Sequence, residues 1–203
     1  MSGPIVFLID DQKAVRDALA EMLSVFGFDV ETYPSADSFL AALRPQLGCI
    51  VADVRMPGTD GIELTRELAR RKLSLPVVLI SGHADVPMAV AAIKAGAEDF
   101  IEKPIDDVQL IAAINRGMAR LFEKQSQQKS VEMVATQFAR LTARQVEIFD
   151  LVATGYTSHA IAEKLQLSIR TVESYRAEIM AKMQAESVAV LVRVAIRLGR
   201  VTP

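Results

Sequence analysis

The stretch PIVFLIDDQ, residues 4–12, drives five consecutive apolar residues, Ile5 to Ile9, directly into two carboxylates, Asp10 and Asp11. A short, unbroken apolar run bounded by polar residues reads as a strand buried on both faces. The pattern recurs at CIVAD (49–53) and PVVLIS (76–81), with shorter versions at DVETY (29–33) and EDFIE (98–102). Between the runs lie amphipathic stretches at about 12–27, 35–44, 60–72, 85–95 and 106–122. Five such strand–helix units in succession predict an α/β doubly wound, five-stranded parallel sheet with helices on both faces.

In a sheet of this kind ligands bind at the carboxyl ends of the strands, where the strand order reverses. Polar residues gather there: Asp10 and Asp11 after the first run, Asp53 at the end of the third, Ser81 at the end of the fourth and Lys103 after the fifth. Any one of them reads as a strand meeting solvent. Together they read as a site.

The charge is divided along the chain. Of the 203 residues, 1–123 hold 12 Lys/Arg and 18 Asp/Glu, and 124–203 hold 11 and 7, so an acidic front half precedes a basic back half. This predicts two domains with different partners, the basic one facing a polyanion. The single cysteine, Cys49, excludes an internal disulfide and a Cys-rich metal site, and reads as a small buried residue in a reducing cytosol. No apolar run reaches the roughly 20 residues that span a bilayer, and Ile5–Ile9 is too short and lacks the basic flank of a secretory leader. A cytoplasmic protein with no membrane partner is expected.

Residues 123–138, EKQSQQKSVEMVATQF, are polar and free of proline and glycine. They read as a linker, either helical or flexible. From Leu141 onward the pattern is helical, with segments at about 142–153, 158–165, 169–183 and 187–198 and N-caps at Thr142, Ser158, Ser168 and Ser187. The expected spans are 1–122, 123–138 and 139–203, the last a small all-α domain.

Three carboxylates at one sheet edge repel one another, and a hard divalent cation removes the conflict. Mg²⁺ takes carboxylate oxygens, keeps some of its waters and accepts phosphate as a further ligand. Lys103 adds a positive charge and Ser81 a hydrogen-bond donor, which suits phosphoryl transfer, and a central carboxylate such as Asp53 suits a nucleophile. These residues meet a family here. IDD (9–11), VADVRMPGTDGIEL (51–64) and LISGHADVPMAVAAIKAGAEDFIEKPI (79–105) resemble the receiver domain of bacterial response regulators, a flavodoxin-like fold. The resemblance implies that Asp53 accepts a phosphoryl group from a sensor histidine kinase. It implies Mg²⁺ held by Asp10 or Asp11, by Asp53 and by the backbone carbonyl of Arg55. Ser81 would be the switch hydroxyl, Phe100 the switch aromatic and Lys103 the cation on the phosphoryl group, with a cis peptide bond before Pro104. Met56-Pro57-Gly58 reads as turn geometry, His83 as a loop residue after Ser81, and Asp60, Asp85 and Asp99 as caps or solvated loop residues.

In the tail, TSHAIAEKLQLSIRTVESYRAEIMAKM (157–183) has the layout of a short helix, a tight turn and a longer helix. That is a helix-turn-helix, whose second helix enters the major groove. Ile161, Ala162 and Leu165 can pack against Val172, Ile179 and Met183. By pattern alone a helical dimerisation domain competes with DNA binding. The stretch from Leu141 to Met183 resembles the LuxR/NarL-type DNA-binding domain, and the whole chain resembles FixJ-type regulators. Carried over, Arg170, Thr171, Glu173, Ser174 and Arg176 face double-stranded DNA, and Tyr175 and Lys182 contact phosphate. The sequence departs from the family pattern in Gln145 for a usual Glu, Tyr175 for a frequent His, and Ser158-His159 for a frequent Asn-Lys, which removes a cation near DNA. Two roles fit Glu173: accepting from a cytosine amine, or orienting Arg176.

The expected function is a phosphorylation-activated transcription factor and not an enzyme. Phosphorylation of Asp53 would pair two receivers through the face formed by residues 85–102, with RNA polymerase a further partner at the promoter. Two alternatives remain at this level. A phosphorylation-gated adaptor would use the tail to bind protein. A metal-dependent phosphatase would need an acid/base Asp two residues after Asp53, where Arg55 stands.

Overall fold

The computed structural model describes residues 5–44, 46–83 and 85–201; residues 1–4, 45, 84, 202 and 203, which fall within the expected spans, lie outside the described residues. The chain divides into two compact units between Lys124 and Gln125.

In the first unit β1 (Ile5–Ile9), β2 (Asp29–Tyr33), β3 (Gly48–Asp53), β4 (Val77–Ser81) and β5 (Asp99–Glu102) alternate with α1 (Lys13–Val25), α2 (Ala36–Ala42), α3 (Gly61–Arg70) and α4 (Val86–Ala95). All strand pairs are parallel, in the order β2-β1-β3-β4-β5. Successive strand side chains point to opposite faces. Val6 and Leu8 therefore join Cys49, Val51, Val78, Ile80 and Ile101 on one face, under Leu23 of α1 and Leu110, Ile114 and Met118 of α5 (Asp107–Phe138). Phe7 and Ile9 join Ile50, Ala52, Val77 and Leu79 on the other, under Phe39 of α2, Leu64 and Leu68 of α3 and Ala92 of α4. Two buried faces are why the central runs are apolar at every position.

The helix boundaries follow side-chain capping. Asp60 and Asp85 cap α3 and α4 by accepting from the backbone N–H of Glu63 and Met88. Asp99 differs from the cap or loop role expected for it. It is a β5 residue, and its carboxylate accepts from Arg116 of α5 at 2.6 Å, tying the edge strand to the helix that covers it. The expected linker, 123–138, is helical throughout, because α5 meets no proline or glycine between Gly117 and its end at Phe138.

In the second unit α6 (Ala143–Ala153), α7 (Ser158–Leu165), α8 (Ile169–Lys182) and α9 (Val188–Arg197) enclose Ile148, Phe149, Ile161, Val172, Ile179, Met183, Leu191 and Ala195. Val134 and Phe138, from the end of α5, close this core. Thr142, Ser168 and Ser187 are N-caps as expected. Ser158 is not. Thr157 caps α7 by accepting from Ala160 N–H, and Ser158 begins the helix with its hydroxyl held by Arg176 at 3.1 Å. Among the described residues no helix is long and apolar enough to cross a membrane.

Candidate functional site

The chain steps outward from β1 to β2, then returns past β1 to place β3, so the strand order reverses between β1 and β3. Connections leave on opposite sides there, and a crevice opens at the strands' carboxyl ends. Asp10 follows β1 and Asp53 ends β3, and both are almost fully buried, at 0% and 6% exposure. Each carboxylate has one oxygen tied to its own loop. Asp10 Oδ1 accepts from Gln12 N–H at 2.8 Å and Asp53 Oδ2 from Arg55 N–H at 2.7 Å. The remaining oxygens converge on one cation: Lys103 Nζ donates to Asp53 Oδ1 at 2.6 Å and to Asp10 Oδ2 at 3.1 Å. Burial by itself would lower the Lys103 pKa, but the hydrogen bonds and charges of Asp53 and Asp10 outweigh it and raise the pKa above the usual lysine value. Lys103 is therefore charged, and its ammonium bridges the Asp10 and Asp53 side chains.

Ser81 ends β4 and is buried, with its hydroxyl turned onto its own loop. Its Oγ lies 3.1 Å from the His83 carbonyl and 3.6 Å from Met88 Sδ, and accepts from His83 N–H. His83 itself is an exposed loop residue. Phe100 is half-buried in β5, packed on the core face covered by α2, α3 and α4, and in register with Leu79. Asp11 is exposed beside the crevice. The two adjacent carboxylates thus separate, Asp10 inward and Asp11 outward. The Lys103–Pro104 bond is cis.

Two supporting residues escaped the sequence reading. Arg16, one turn into α1, donates from Nη1 to the Asp10 backbone carbonyl at 2.5 Å and pins the loop that carries the carboxylates. Gly61 opens α3 so close to β3 that a Cβ would lie 2.5 Å from the Asp53 carbonyl oxygen. The only signal for Gly61 was the Asp60-Gly61 pair, which reads equally well as an ordinary turn. Arg16 carried no signal, because a single charge on an exposed helix face has no periodicity to mark it. Met56, expected only as turn geometry, is buried in the same core.

In the second unit Val172 is fully buried and fixes which side of α8 faces inward. Arg170, Glu173 and Ser174 are exposed on the helix's first two turns, and Thr171 is half-buried beside them. Tyr175 packs its ring against the core, and Arg176 is half-buried on Ser158. Lys182 is engaged inside its own unit. Its ammonium donates to the Arg140 carbonyl at 3.2 Å and to Gln145 Oε1 at 2.7 Å.

Residues 6–115 match the family described as response regulator receiver domain, and residues 139–195 match the bacterial regulatory proteins of the luxR family. The chain belongs to the response regulators. The transcriptional regulatory proteins FixJ of Azorhizobium caulinodans and of Rhizobium meliloti are 44% and 42% identical to it, over 96% and 98% of this chain and 92% and 98% of theirs. The solved structure of the response regulator StyR superposes with a TM-score of 0.86 at 37% identity, covering 96% of this chain and 99% of that one. The protein is a FixJ-type response regulator, a receiver followed by a LuxR-type DNA-binding domain. Regulators of this architecture are not enzymes, so the phosphatase alternative falls away. A sensor kinase and DNA are the partners the two domains imply.

Proposed function

We propose that phosphorylation of Asp53 by a sensor histidine kinase pairs two receivers and so brings two DNA-binding domains onto promoter DNA. The observation that carries this reading is the buried Asp10–Lys103–Asp53 cluster at the point where the strand order of the receiver reverses. An Asp53 oxygen attacks phosphorus, the P–N bond to the kinase histidine breaks, and the ring nitrogen that held phosphorus takes a proton from water, so that neutral imidazole leaves. Asp10, Asp11, Asp53 and the Arg55 backbone carbonyl would hold Mg²⁺. All are oxygen donors, as a hard cation requires. Asp10 and Asp53 are drawn together by Lys103, while Asp11 is exposed beside them and would reach the ion through water. When bound, Mg²⁺ neutralises phosphoryl oxygens. Lys103 Nζ, already against Asp53, is placed to accompany the transferred group.

Ser81 is the switch hydroxyl in this reading. To donate to a phosphoryl oxygen it must leave the His83 carbonyl and Met88, and Phe100 moves with it. The consequence falls on the face formed by residues 85–102. There Val86, Val90 and Ile93 are 77%, 45% and 53% exposed at the four- and three-residue spacing that lines one side of a helix. An apolar stripe of this kind marks a docking surface, and a second receiver is the occupant that produces a two-fold pair for a two-fold DNA site.

In the DNA-binding domain, α8 enters the major groove. Arg170, Thr171, Glu173, Ser174 and Arg176 lie toward the bases and Tyr175 toward phosphate. RNA polymerase is the further partner at the promoter, and the cytoplasm is where all these partners meet. Binding to duplex DNA that weakens steeply with salt distinguishes this from a protein-binding adaptor. The deciding experiment uses Asp53→Asn with Mg²⁺ and a small-molecule phosphodonor. It is expected to show no phosphoryl uptake, no donor-dependent dimer and no gain in DNA affinity. A normal dimer and a normal affinity gain in that variant would overturn the reading.

A further inference from the structure

Gln145 is the one polar residue buried in the core of the DNA-binding domain among the described residues, at 2% exposure. A buried amide is costly unless each of its polar atoms is satisfied. Here both ends are. Oε1 accepts from Thr142 N–H at 3.0 Å, completing the capping box that starts α6, and also from Lys182 Nζ at 2.7 Å. Nε2 donates to Glu178 Oε2 at 2.7 Å. The orientation of the amide is fixed by its partners, since Lys182 and the backbone N–H can only donate and a carboxylate can only accept. One side chain on α6 thus grips two positions of α8, Glu178 and Lys182, which lie four apart on one helix face. Lys182 is held a second time by the Arg140 carbonyl just before α6.

We propose that Gln145 is the positioning residue of the DNA-reading helix, and that Lys182 serves this clamp rather than a DNA phosphate. The inference rests on the reading that α8 enters the major groove. The residues that would meet bases, Arg170, Thr171, Glu173, Ser174 and Arg176, occupy the first two turns of α8, while the clamp holds Glu178 and Lys182 beyond them. From Arg170 to Lys182 the helix runs roughly 18 Å, so a tilt of about 2° at the clamped end moves the reading end by about 0.6 Å. Base recognition tolerates about 0.5 Å of misplacement. Packing of Val172, Ile179 and Met183 sets which side of α8 faces inward, but apolar contacts carry no directional bond that fixes the tilt of its end. Three hydrogen bonds to charged or backbone groups add direction. The neutral amide is also the group this arrangement needs. A glutamate at 145 would oppose Glu178 at the distance where Nε2 now donates.

The test uses the full-length protein treated with beryllofluoride, a randomised duplex pool to select preferred sequences, and a mixed-sequence duplex for salt titration. Gln145→Glu is expected to lower the preference for selected over mixed sequence by about tenfold, as loss of a charged hydrogen bond implies. Adding Glu178→Gln should restore that preference, because the carboxylate and the amide have then exchanged places and every bond can re-form. A merely space-filling role predicts no such rescue. Lys182→Met is expected to lower the preference while leaving the slope of log affinity against log salt unchanged. A slope reduced by about 0.9 with the preference intact would make Lys182 a phosphate contact and overturn the proposal. So would equal preference in wild type and Gln145→Glu, or failure of the double variant while its helical circular dichroism and melting remain those of wild type. Wild-type protein that shows no affinity for duplex DNA would fail the groove reading itself, and that result is read before any variant.

Discussion

Replacing Lys103 by methionine keeps the length and apolar stem of the side chain and removes its charge. In the native receiver that charge is shared by Asp53 at 2.6 Å and Asp10 at 3.1 Å, two carboxylates that are nearly inaccessible to water. Without it they face each other uncompensated. Breaking a buried pair by removing one partner costs about 3–5 kcal/mol, and since the Lys103 side chain retains 22% exposure the lower end, about 3 kcal/mol, is appropriate. The receiver contains its own reporter. Cys49 is the only cysteine in the chain, lies in β3 with no exposed surface, and has its thiol pushed up to about 12 by burial and secondarily by Glu98. It reacts with a disulfide reagent only when the receiver opens. Labelling under conditions where reclosing is fast reads the open population, and 3 kcal/mol should raise the labelling rate at pH 7.5 by roughly 150-fold. Adding Asp53→Asn should bring most of that back, leaving about 1 kcal/mol, because the remaining Asp10 carboxylate keeps its bond from Gln12 N–H. A rate within about threefold of wild type for Lys103→Met would refute the reasoning.

Other outcomes follow from the same geometry. The Lys103 pKa is raised in the folded receiver, so its contribution is complete below the ordinary lysine pKa of about 10.4 and is lost as pH rises through the higher native value. Opening free energy from Cys49 labelling should thus show no Lys103-dependent change between roughly pH 7 and 9, and the gap between wild type and Lys103→Met should narrow only above about pH 10.5. Gly61→Ala places a Cβ 2.5 Å from the Asp53 carbonyl and 2.9 Å from Leu79 Cδ2. It should destabilise the receiver by about 1–3 kcal/mol by labelling and slow phosphoryl uptake from a phosphodonor. Ile93→Glu puts a charge in the exposed stripe of α4, and sedimentation should find the phosphorylated protein monomeric with uptake unchanged. Arg170→Met should weaken binding to a selected duplex by about 1–3 kcal/mol and relax the preference at one base position, as loss of a base contact does, read by competition against a mixed-sequence duplex.

Much of the receiver was legible because its central strands are buried twice over. Runs such as Ile5–Ile9 and Val77–Ile80 have no polar option at any position, so their apolar character survives without knowledge of the neighbours. The carboxylates at their ends were legible because a charge directly after such a run has few structural uses. Asp99 was not legible in the same way. Its place in β5 and its bond to Arg116 depend on a helix that begins eight residues later. Ser158 and Thr157 are adjacent hydroxyl residues, equally good caps by type, and only the path of the chain into α7 gave the role to Thr157.

What the sequence determined by itself was the alternation of buried strands with amphipathic helices, the division into an acidic and a basic half, and the set of polar groups that one sheet edge must carry. Those properties are local, since each depends on a side chain's affinity for water and its spacing from the next. Three decisions belong to the tertiary structure. One is that Asp10 turns inward and Asp11 outward, which depends on Lys103 arriving from β5 and on the Arg16 bond behind the loop. Another is that Lys182 turns from solvent onto Gln145, thirty-seven residues earlier in the chain. The last is that Gly61 is required at the start of α3 by the proximity of the Asp53 carbonyl. The Lys103 and Lys182 contacts join segments far apart in sequence, and the Gly61 approach joins the end of a strand to the helix after it; in each the outcome is set by what the fold delivers rather than by the residue's own preference.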